Sequence, residues 1–119
     1  MKRIVSLVAV VAVAVAALFA VVAYGGGSTT TATTVKVTAK DTLRFVLSRK
    51  SAPHGKVIFK VTNKGRIKHD FKIAGKKTKL LKHNQTVSLT MTLKKGKFKY
   101  VCTVDAHAQA GMKGIFKAT

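Results

Sequence analysis

Hydrophobic and polar side chains alternate along most of the chain after residue 35. Val57, Phe59 and Val61 alternate with Lys60 and Thr62. The same period of two recurs in three other segments, residues 43–47, 87–93 and 98–102. A period of two is typical of strands that bury one face. The pattern therefore predicts a β-protein from residue 35 onward, with no helix in this part of the chain.

Turn-forming residues separate these segments at intervals of about ten residues. They are Ser51-Ala52-Pro53, Asn63-Lys64-Gly65, Ala74-Gly75-Lys76, His83-Asn84 and Lys95-Gly96. Short strands at this spacing favour an antiparallel sandwich or barrel. We expect seven or eight strands around one modest core, formed by residues 35–119.

The first 24 residues break the alternating pattern. Lys2 and Arg3 precede twenty residues, 4–23, that carry no charge. A basic start followed by an apolar run is the pattern of an export signal, and twenty apolar residues also suffice to span a bilayer. Residues 1–24 are therefore predicted to be either a cleaved signal peptide or an N-terminal membrane anchor. Either way, the body is expected outside the cytoplasm, in the periplasm or the extracellular space.

Residues 25–34 are rich in Gly, Ser and Thr and carry almost no apolar side chains. Such a composition can bury little surface and is typical of a flexible linker. The predicted organisation is thus a leader (1–24), a linker (25–34) and one domain (35–119).

The charge of the chain is strongly one-sided. Its 23 Lys and Arg face 3 Asp, which gives a net charge of +20, and 21 of those bases follow residue 24. Most of these basic residues lie at outward-facing positions of the predicted strands, where Lys keeps exposed edge strands from pairing with other chains. The excess of positive charge predicts acidic protein partners or an anionic membrane or cell-wall surface. Export, and the lack of exposed aromatic residues among the bases, argue against nucleic acid.

Candidate chemistry is concentrated near the C-terminus. Cys102 is the chain's one cysteine, which excludes a disulfide framework, and it is followed by His107 and Met112 at intervals of five residues. Thiolate, imidazole and thioether together favour copper, and a blue copper site adds a second histidine. His69 lies on an earlier strand or at its edge, with Phe71 in the same inward phase. His54 and His83 are predicted to be solvated loop residues.

These residues resemble those of the cupredoxin family, the small blue copper proteins. The resemblance is carried by Gly55–Phe59, Asn63-Lys64-Gly65, His69-x-Phe71 and Cys102-x4-His107-x4-Met112. It implies a Greek-key β-sandwich that holds one copper ion at one end. It also implies that His69, Cys102, His107 and Met112 are the ligands, and that the ion cycles between Cu(I) and Cu(II).

The chain departs from the family pattern in two places. Asp70 stands where many relatives have an Asn that ties the two ligand segments together. An ionised carboxylate can only accept hydrogen bonds, so we expect Asp70 to accept one from Thr103 and to lower the copper potential. Asp105 and Ala106 stand where relatives often carry Pro-Gly. Without the proline, the backbone between Cys102 and His107 should be less restricted in conformation.

The favoured function is transient electron transfer by a monomer, without catalysis, because no nucleophile–base pair is visible. His107 would be the electron port, and Ala106, Ala108 and Ala110 would form an apolar patch that docks an acidic redox partner. Two alternatives stay open at this point. One is an exported copper chaperone or store with the same ligands, and the other is a metal-free polybasic module on anionic lipid or cell-wall polymer.

Overall fold

The computed structural model describes residues 31–119. The predicted leader and most of the predicted linker lie outside the described residues. Among residues 31–119 there is no helix with the length and apolar character needed to cross a membrane. The first strand begins at Thr33, so the last two residues of the predicted 25–34 linker are paired in a sheet.

The described part of the chain is all-β, as predicted. It contains nine strands, three of them only two residues long, which is why the count exceeds the expected seven or eight. The strands are β1 Thr33–Lys40, β2 Arg44–Leu47, β3 Ser51–Ala52, β4 Gly55–Asn63, β5 Lys72–Ile73, β6 Lys76–Lys77, β7 Thr86–Leu93, β8 Gly96–Val101 and β9 Lys113–Ala118.

The strands form two sheets that enclose the core. The four-stranded sheet has the order β2-β1-β4-β7, and the five-stranded sheet has the order β3-β9-β8-β5-β6. Two pairings are parallel, β1 with β4 and β3 with β9, where the alternation had suggested an antiparallel arrangement. The reason is a crossover: after β2 the chain passes through β3 in the other sheet, and β4 then returns beside β1 in the same direction.

The alternating positions supply the core between the sheets. Phe59, Phe71 and Phe116 are fully buried, and Met91 and Tyr100 are nearly so. The rings of Phe59 and Phe116 meet edge to face, with centroids 5.1 Å apart. Burial of each such side chain contributes roughly 1.5–3 kcal/mol. The inward positions of the alternating segments are thus buried, as expected from the period of two, and Phe98 packs against this core while partly exposed.

The turn between β1 and β2 departs from the alternating pattern. Leu43 was expected to share the strand phase of Phe45 and Leu47, but it precedes β2 and has a φ of +60°. Its backbone N–H donates to the carbonyl of Lys40 at 3.0 Å, which closes a tight turn. This turn places Asp41 and Leu43 at the end of the sandwich where the candidate ligands converge.

Candidate metal centre

Three of the four predicted ligands lie on a loop and on the strand end that leads into it. Cys102 directly follows β8 and is buried. Its backbone N–H donates to the carbonyl of Met112 at 3.1 Å, and the N–H of Met112 donates to the carbonyl of His107 at 3.0 Å. We call residues 102–112 the cysteine loop. Its closure by its own backbone brings residues ten positions apart together, which small residues such as Ala and Gly permit.

Arg44 holds the cysteine loop from the neighbouring sheet. Its Nη1 donates to the carbonyls of Ala110 and Leu43, both at 2.9 Å. Gly111 lies directly beneath this guanidinium with a φ of +116°, and a Cβ there would collide with it. Glycine at position 111 therefore suits the positive φ, and its lack of a side chain lets the Arg44 guanidinium lie this close.

His69 lies on a separate segment, residues 63–71, which we call the histidine segment. Its backbone pairs with Leu81 through two hydrogen bonds of 3.2 and 2.8 Å. The fully buried side chain of Asn63 donates to the carbonyls of Ile67 and Leu81, at 2.9 and 2.8 Å. Its Oδ1 accepts from the N–H of Gly65 at 2.8 Å. One buried amide thus satisfies three backbone groups and fixes the approach to His69.

Asp41 orients the imidazole of His69. Its carboxylate accepts the backbone N–H groups of Arg66 at 2.7 Å and Ile67 at 3.1 Å, and these two bonds hold the pKa of Asp41 below its ordinary value. The Oδ1 of Asp41 lies 3.3 Å from Nε2 of His69. Nε2–H therefore donates to Asp41, which leaves the lone pair of Nδ1 free. Gly65 makes room for this carboxylate, since a Cβ there would overlap it.

The two segments bring their donor atoms to one point. The imidazole nitrogens of His69 and His107 and the Sγ of Cys102 lie within 4.8 Å of one another. Sγ of Cys102 lies 3.5 Å from Nδ1 of His107. Nδ1 of His69 is buried and has no hydrogen-bond partner among the described residues. An unsatisfied buried nitrogen costs about 1–3 kcal/mol, which a bound cation would offset.

The protonation states of these donors suit a cation. Burial lowers the pKa of His69, so its imidazole is neutral and able to bind a metal at neutral pH. Burial raises the pKa of the Cys102 thiol, while the backbone N–H groups of Asp70 and Val104 act in the opposite direction. Metal binding to such a thiol releases its proton. One buried thiol with two imidazoles fits a single type 1 copper ion.

Met112, the predicted axial ligand, is fully buried in a small cluster with Cys102 and Ala39. Leu43 and Val104 pack against the same cluster. The structure thus places Met112 beside the cysteine, and its role as a ligand stays a prediction.

Asp70 ties the two ligand segments together, as expected from the sequence. Its Oδ1 accepts the backbone N–H of Thr103 at 2.6 Å, and its Oδ2 accepts the hydroxyl of Thr103 at 2.5 Å. The predicted contact with the Thr103 hydroxyl is confirmed, and a backbone contact accompanies it. The negative charge of Asp70 is also close enough to raise the pKa of Cys102.

The remaining sequence-selected residues lie around the centre or away from it. His107 and Ala108 are partly exposed, and Ala106 and Ala110 are exposed. His54 and His83 are exposed and do not join the donor cluster; the Nδ1 atoms of these rings lie 2.8 Å from the carbonyls of Thr119 and Gly65, respectively.

Sequence reasoning missed three residues that support the donors: Asp41, Arg44 and Asn63. A signal was available for Asp41, because it is one of only three acids in a very basic chain. Asn63 was identified only as part of a turn and of the family resemblance, and Arg44 carried no comparable signal. The bonds from Arg44 to Ala110 and from Asn63 to Leu81 span 66 and 18 positions, and only the fold brings these groups within reach.

Comparisons with known proteins agree with this fold. The family model described as the cupredoxin-like domain matches residues 8–114. No curated protein sequence matches the chain.

Three solved structures have similar folds. Dithionite-reduced auracyanin from Roseiflexus castenholzii is 20% identical, with 73% of this chain and 97% of that chain covered and a TM-score of 0.65. Auracyanin A, a blue copper protein from Chloroflexus aurantiacus, is 18% identical, with 75% and 100% covered and a TM-score of 0.63. Reduced rusticyanin is 19% identical, with 77% and 82% covered and a TM-score of 0.65.

Proposed function

The chain belongs to the cupredoxin-like domain family, and from this premise we propose that it is a blue copper protein that carries single electrons between redox partners. The observation that carries the proposal is the buried Nδ1 of His69, which has no hydrogen-bond partner within residues 31–119 and lies beside the thiol of Cys102 and the ring of His107. The blue copper relative auracyanin A, with the same fold, supports the choice of metal.

The proposed ligands are His69, Cys102, His107 and Met112. Copper would supply the change between Cu(I) and Cu(II), and the protein's task is to keep the donors in place while the charge changes. Asp41 fixes the ring of His69, and the bonds from Asp70 to Thr103 hold the position next to Cys102. Donors that cannot rearrange keep the reorganisation on electron transfer small, whether the geometry is imposed by the protein or intrinsic to copper–thiolate bonding.

Electrons are proposed to enter and leave through His107, the partly exposed member of the cluster. Ala106 and Ala110 provide a small exposed apolar surface next to it. The surrounding positive charge favours an acidic redox protein and a fast encounter. A small apolar contact surrounded by charge suits a short-lived complex of a monomer with its partner. We propose no catalytic turnover, because both histidines of the cluster are assigned to the metal.

The site of action is proposed to be outside the cytoplasm. The support is the apolar segment 4–23 behind Lys2 and Arg3. Cell fractionation, with the mass of the purified chain, tests this and separates a cleaved signal peptide from a retained anchor.

Addition of Cu(II) to the metal-free chain tests the function. We expect one equivalent to produce intense visible absorption from the thiolate, and Cys102→Ser to abolish it. His54→Ala is the control, because it removes an exposed histidine whose ring contacts the Thr119 carbonyl rather than the cluster, and it should leave the colour unchanged.

The same sample separates electron transfer from copper delivery. Repeated reduction and reoxidation without loss of metal supports an electron carrier. Rapid transfer of Cu(I) to a chelator would instead indicate a copper chaperone or store. Absence of colour in the wild-type chain would leave the metal-free polybasic module.

A further inference from the structure

The outer side of the five-stranded sheet carries lysine in neighbouring positions on adjacent strands. Lys97 on β8 is the register partner of Lys117 on β9, and Lys72 on β5 is the partner of Lys77 on β6. The remaining outward pairs of β8 and β9 are Lys99 with Ile115 and Val101 with Lys113. We call this surface the lysine face; its charged members are Lys72, Lys77, Lys97, Lys99, Lys113 and Lys117, and all six are exposed.

The lysine face has no compensating acid. Asp41 and Asp70 hold the metal centre, and Asp105 lies in the cysteine loop. Within residues 31–119 no acid lies at salt-bridge distance from a lysine or arginine, and Asp41 lies beside the neutral imidazole of His69. Like charges directly opposite each other on paired strands destabilise a sheet. The outer side of the four-stranded sheet also has two such pairs, Lys36 opposite Lys60 and Lys40 opposite Arg44. Like-charged pairs therefore suit an anionic partner on either sheet, and the lysine face differs in having three lysines around one exposed apolar side chain.

The shape of the lysine face indicates whether its partner is a flat surface or an extended polymer. The six lysines are spread over four adjacent strands, β9-β8-β5-β6, and strands about 4.8 Å apart give a patch about 15 Å across. The patch is about as long as it is wide, because strand residues advance about 3.3 Å each. Charge spread in two dimensions matches a plane of headgroups better than a single extended polymer.

An apolar side chain lies within this charged plane. Ile115 is 50% exposed, with Lys113 and Lys117 on its own strand and Lys99 opposite it. In water the exposed apolar surface of Ile115 is unfavourable and nothing offsets its cost. At a bilayer surface the side chain would enter the apolar boundary beneath the headgroups, while the lysines around it bind the phosphates. From this combination we propose that the lysine face docks on the surface of an anionic phospholipid bilayer.

The four-stranded sheet provides a built-in control surface. The outward positions of β7 carry hydroxyls at Thr86, Ser88, Thr90 and Thr92 rather than lysines. Lysines occur there on β1 and β4, at Lys36, Lys40, Lys56 and Lys60. Val46 on β2 is 49% exposed, almost the same as Ile115. The two faces therefore permit changes that are equal in charge and exposure and differ only in place.

The chain contains no tryptophan, so one introduced indole reports on one position. Ile115→Trp and Val46→Trp are made in the full chain and mixed with vesicles of phosphatidylcholine alone or with phosphatidylglycerol. We expect the emission of the Ile115→Trp chain to shift to the blue on the anionic vesicles only, and that of Val46→Trp to stay unchanged. This readout is local, so insertion of residues 1–24 into either vesicle does not mimic it.

Charge removal tests the assignment of the face. In the Ile115→Trp chain, replacement of Lys97, Lys99 and Lys117 by Gln should reduce docking about a hundredfold, at about fivefold per lysine, and remove the blue shift. The matched triple replacement of Lys36, Lys56 and Lys60 should leave it in place. Circular dichroism checks that both variants keep the β fold.

Three results would overturn the proposal. The first is an unshifted emission from Ile115→Trp on anionic vesicles. The second is an equal loss with both triple variants, which would assign binding to the net charge of the whole molecule. The third is the same blue shift with inorganic polyphosphate, which would make the ligand a soluble polyanion. None of these outcomes depends on copper, so membrane docking is tested independently of the proposed electron transfer.

Discussion

The two segments that carry the metal donors are held in different ways. The histidine segment is held by residues distant in sequence: Asp41 accepts the N–H groups of residues 66 and 67 and orients His69, and Asn63 joins this segment to Leu81. The cysteine loop is closed largely by its own backbone, through bonds among residues 102–112. The histidine is fully buried, whereas the middle of the loop is exposed.

This difference assigns separate tasks to the two segments. Asp41 and Asn63 hold the histidine segment, so the position of the His69 imidazole is set by the β-sandwich. The cysteine loop contributes both a buried thiol and a partly exposed imidazole, so it connects the metal centre to the surface. We therefore expect substitutions behind the histidine segment to affect stability and metal affinity. Substitutions of the loop residues other than the proposed ligands Cys102, His107 and Met112 should have smaller, local effects.

The largest effect is expected from Asn63→Ala. It removes the side-chain donor to the carbonyls of Ile67 and Leu81 and the acceptor of the Gly65 N–H. The Leu81 carbonyl keeps its bond from the N–H of His69, whereas the buried N–H of Gly65 loses its acceptor. The free energy of unfolding of the metal-free protein should fall by about 3 kcal/mol, measured by urea denaturation. Gln109→Ala, at an exposed position of the cysteine loop, is the control and should change it by less than about 0.5 kcal/mol. Equal effects at the two positions would contradict the contrast between the segments.

Asp41→Ala should weaken copper binding by about 10- to 100-fold, because the ring of His69 loses the acceptor that fixes it. A competition titration with a chelator measures the affinity, and the visible spectrum reports on ligand geometry. Asp41→Asn retains an acceptor oxygen for His69 and should recover much of the affinity. If Asp41→Ala binds copper as tightly as the wild type, the carboxylate has no part in positioning the donor.

A smaller effect, of opposite sign, is expected within the cysteine loop. Ala106 has a φ of +67°, a left-handed conformation that is unfavourable for Ala and easy for Gly. Ala106→Gly should therefore raise the free energy of unfolding by about 1 kcal/mol in the same urea experiment. Gly111→Ala makes the reverse change at another position of positive φ and should destabilise the protein. No gain from Ala106→Gly would mean that the loop carries no such strain.

The sequence predicted the parts of this molecule that depend on local patterns. Alternation identified the strands and most of the core, since inward residues recur at every second position. The spacing of Cys102, His107 and Met112 identified the cysteine loop because one short loop holds all three. The phase of Phe71 placed His69 correctly beside the core.

The features that the sequence did not predict depend on contacts between residues that are far apart in the sequence. The parallel pairing of β1 with β4 follows from a crossover through the other sheet, which alternation does not encode. Asp41 lies 28 positions before His69, and Arg44 lies 66 positions before Ala110. Asp70 was recognised because its family position is known to join the two ligand segments, not because its pattern predicts the bond to Thr103.

Asp70→Asn tests that junction with the smallest structural change. The amide keeps an acceptor for the N–H of Thr103, and its NH2 can donate to the Thr103 hydroxyl in place of the present bond. What is removed is a negative charge near the thiol, where it favours the more positive Cu(II) state. Its loss should raise the midpoint potential by on the order of 40 mV, equivalent to about 1 kcal/mol for one electron. Voltammetry measures the shift, and Asp105→Asn, on the exposed part of the loop, is the charge-matched control. An unchanged potential for Asp70→Asn would mean that Asp70 joins the segments without tuning the metal.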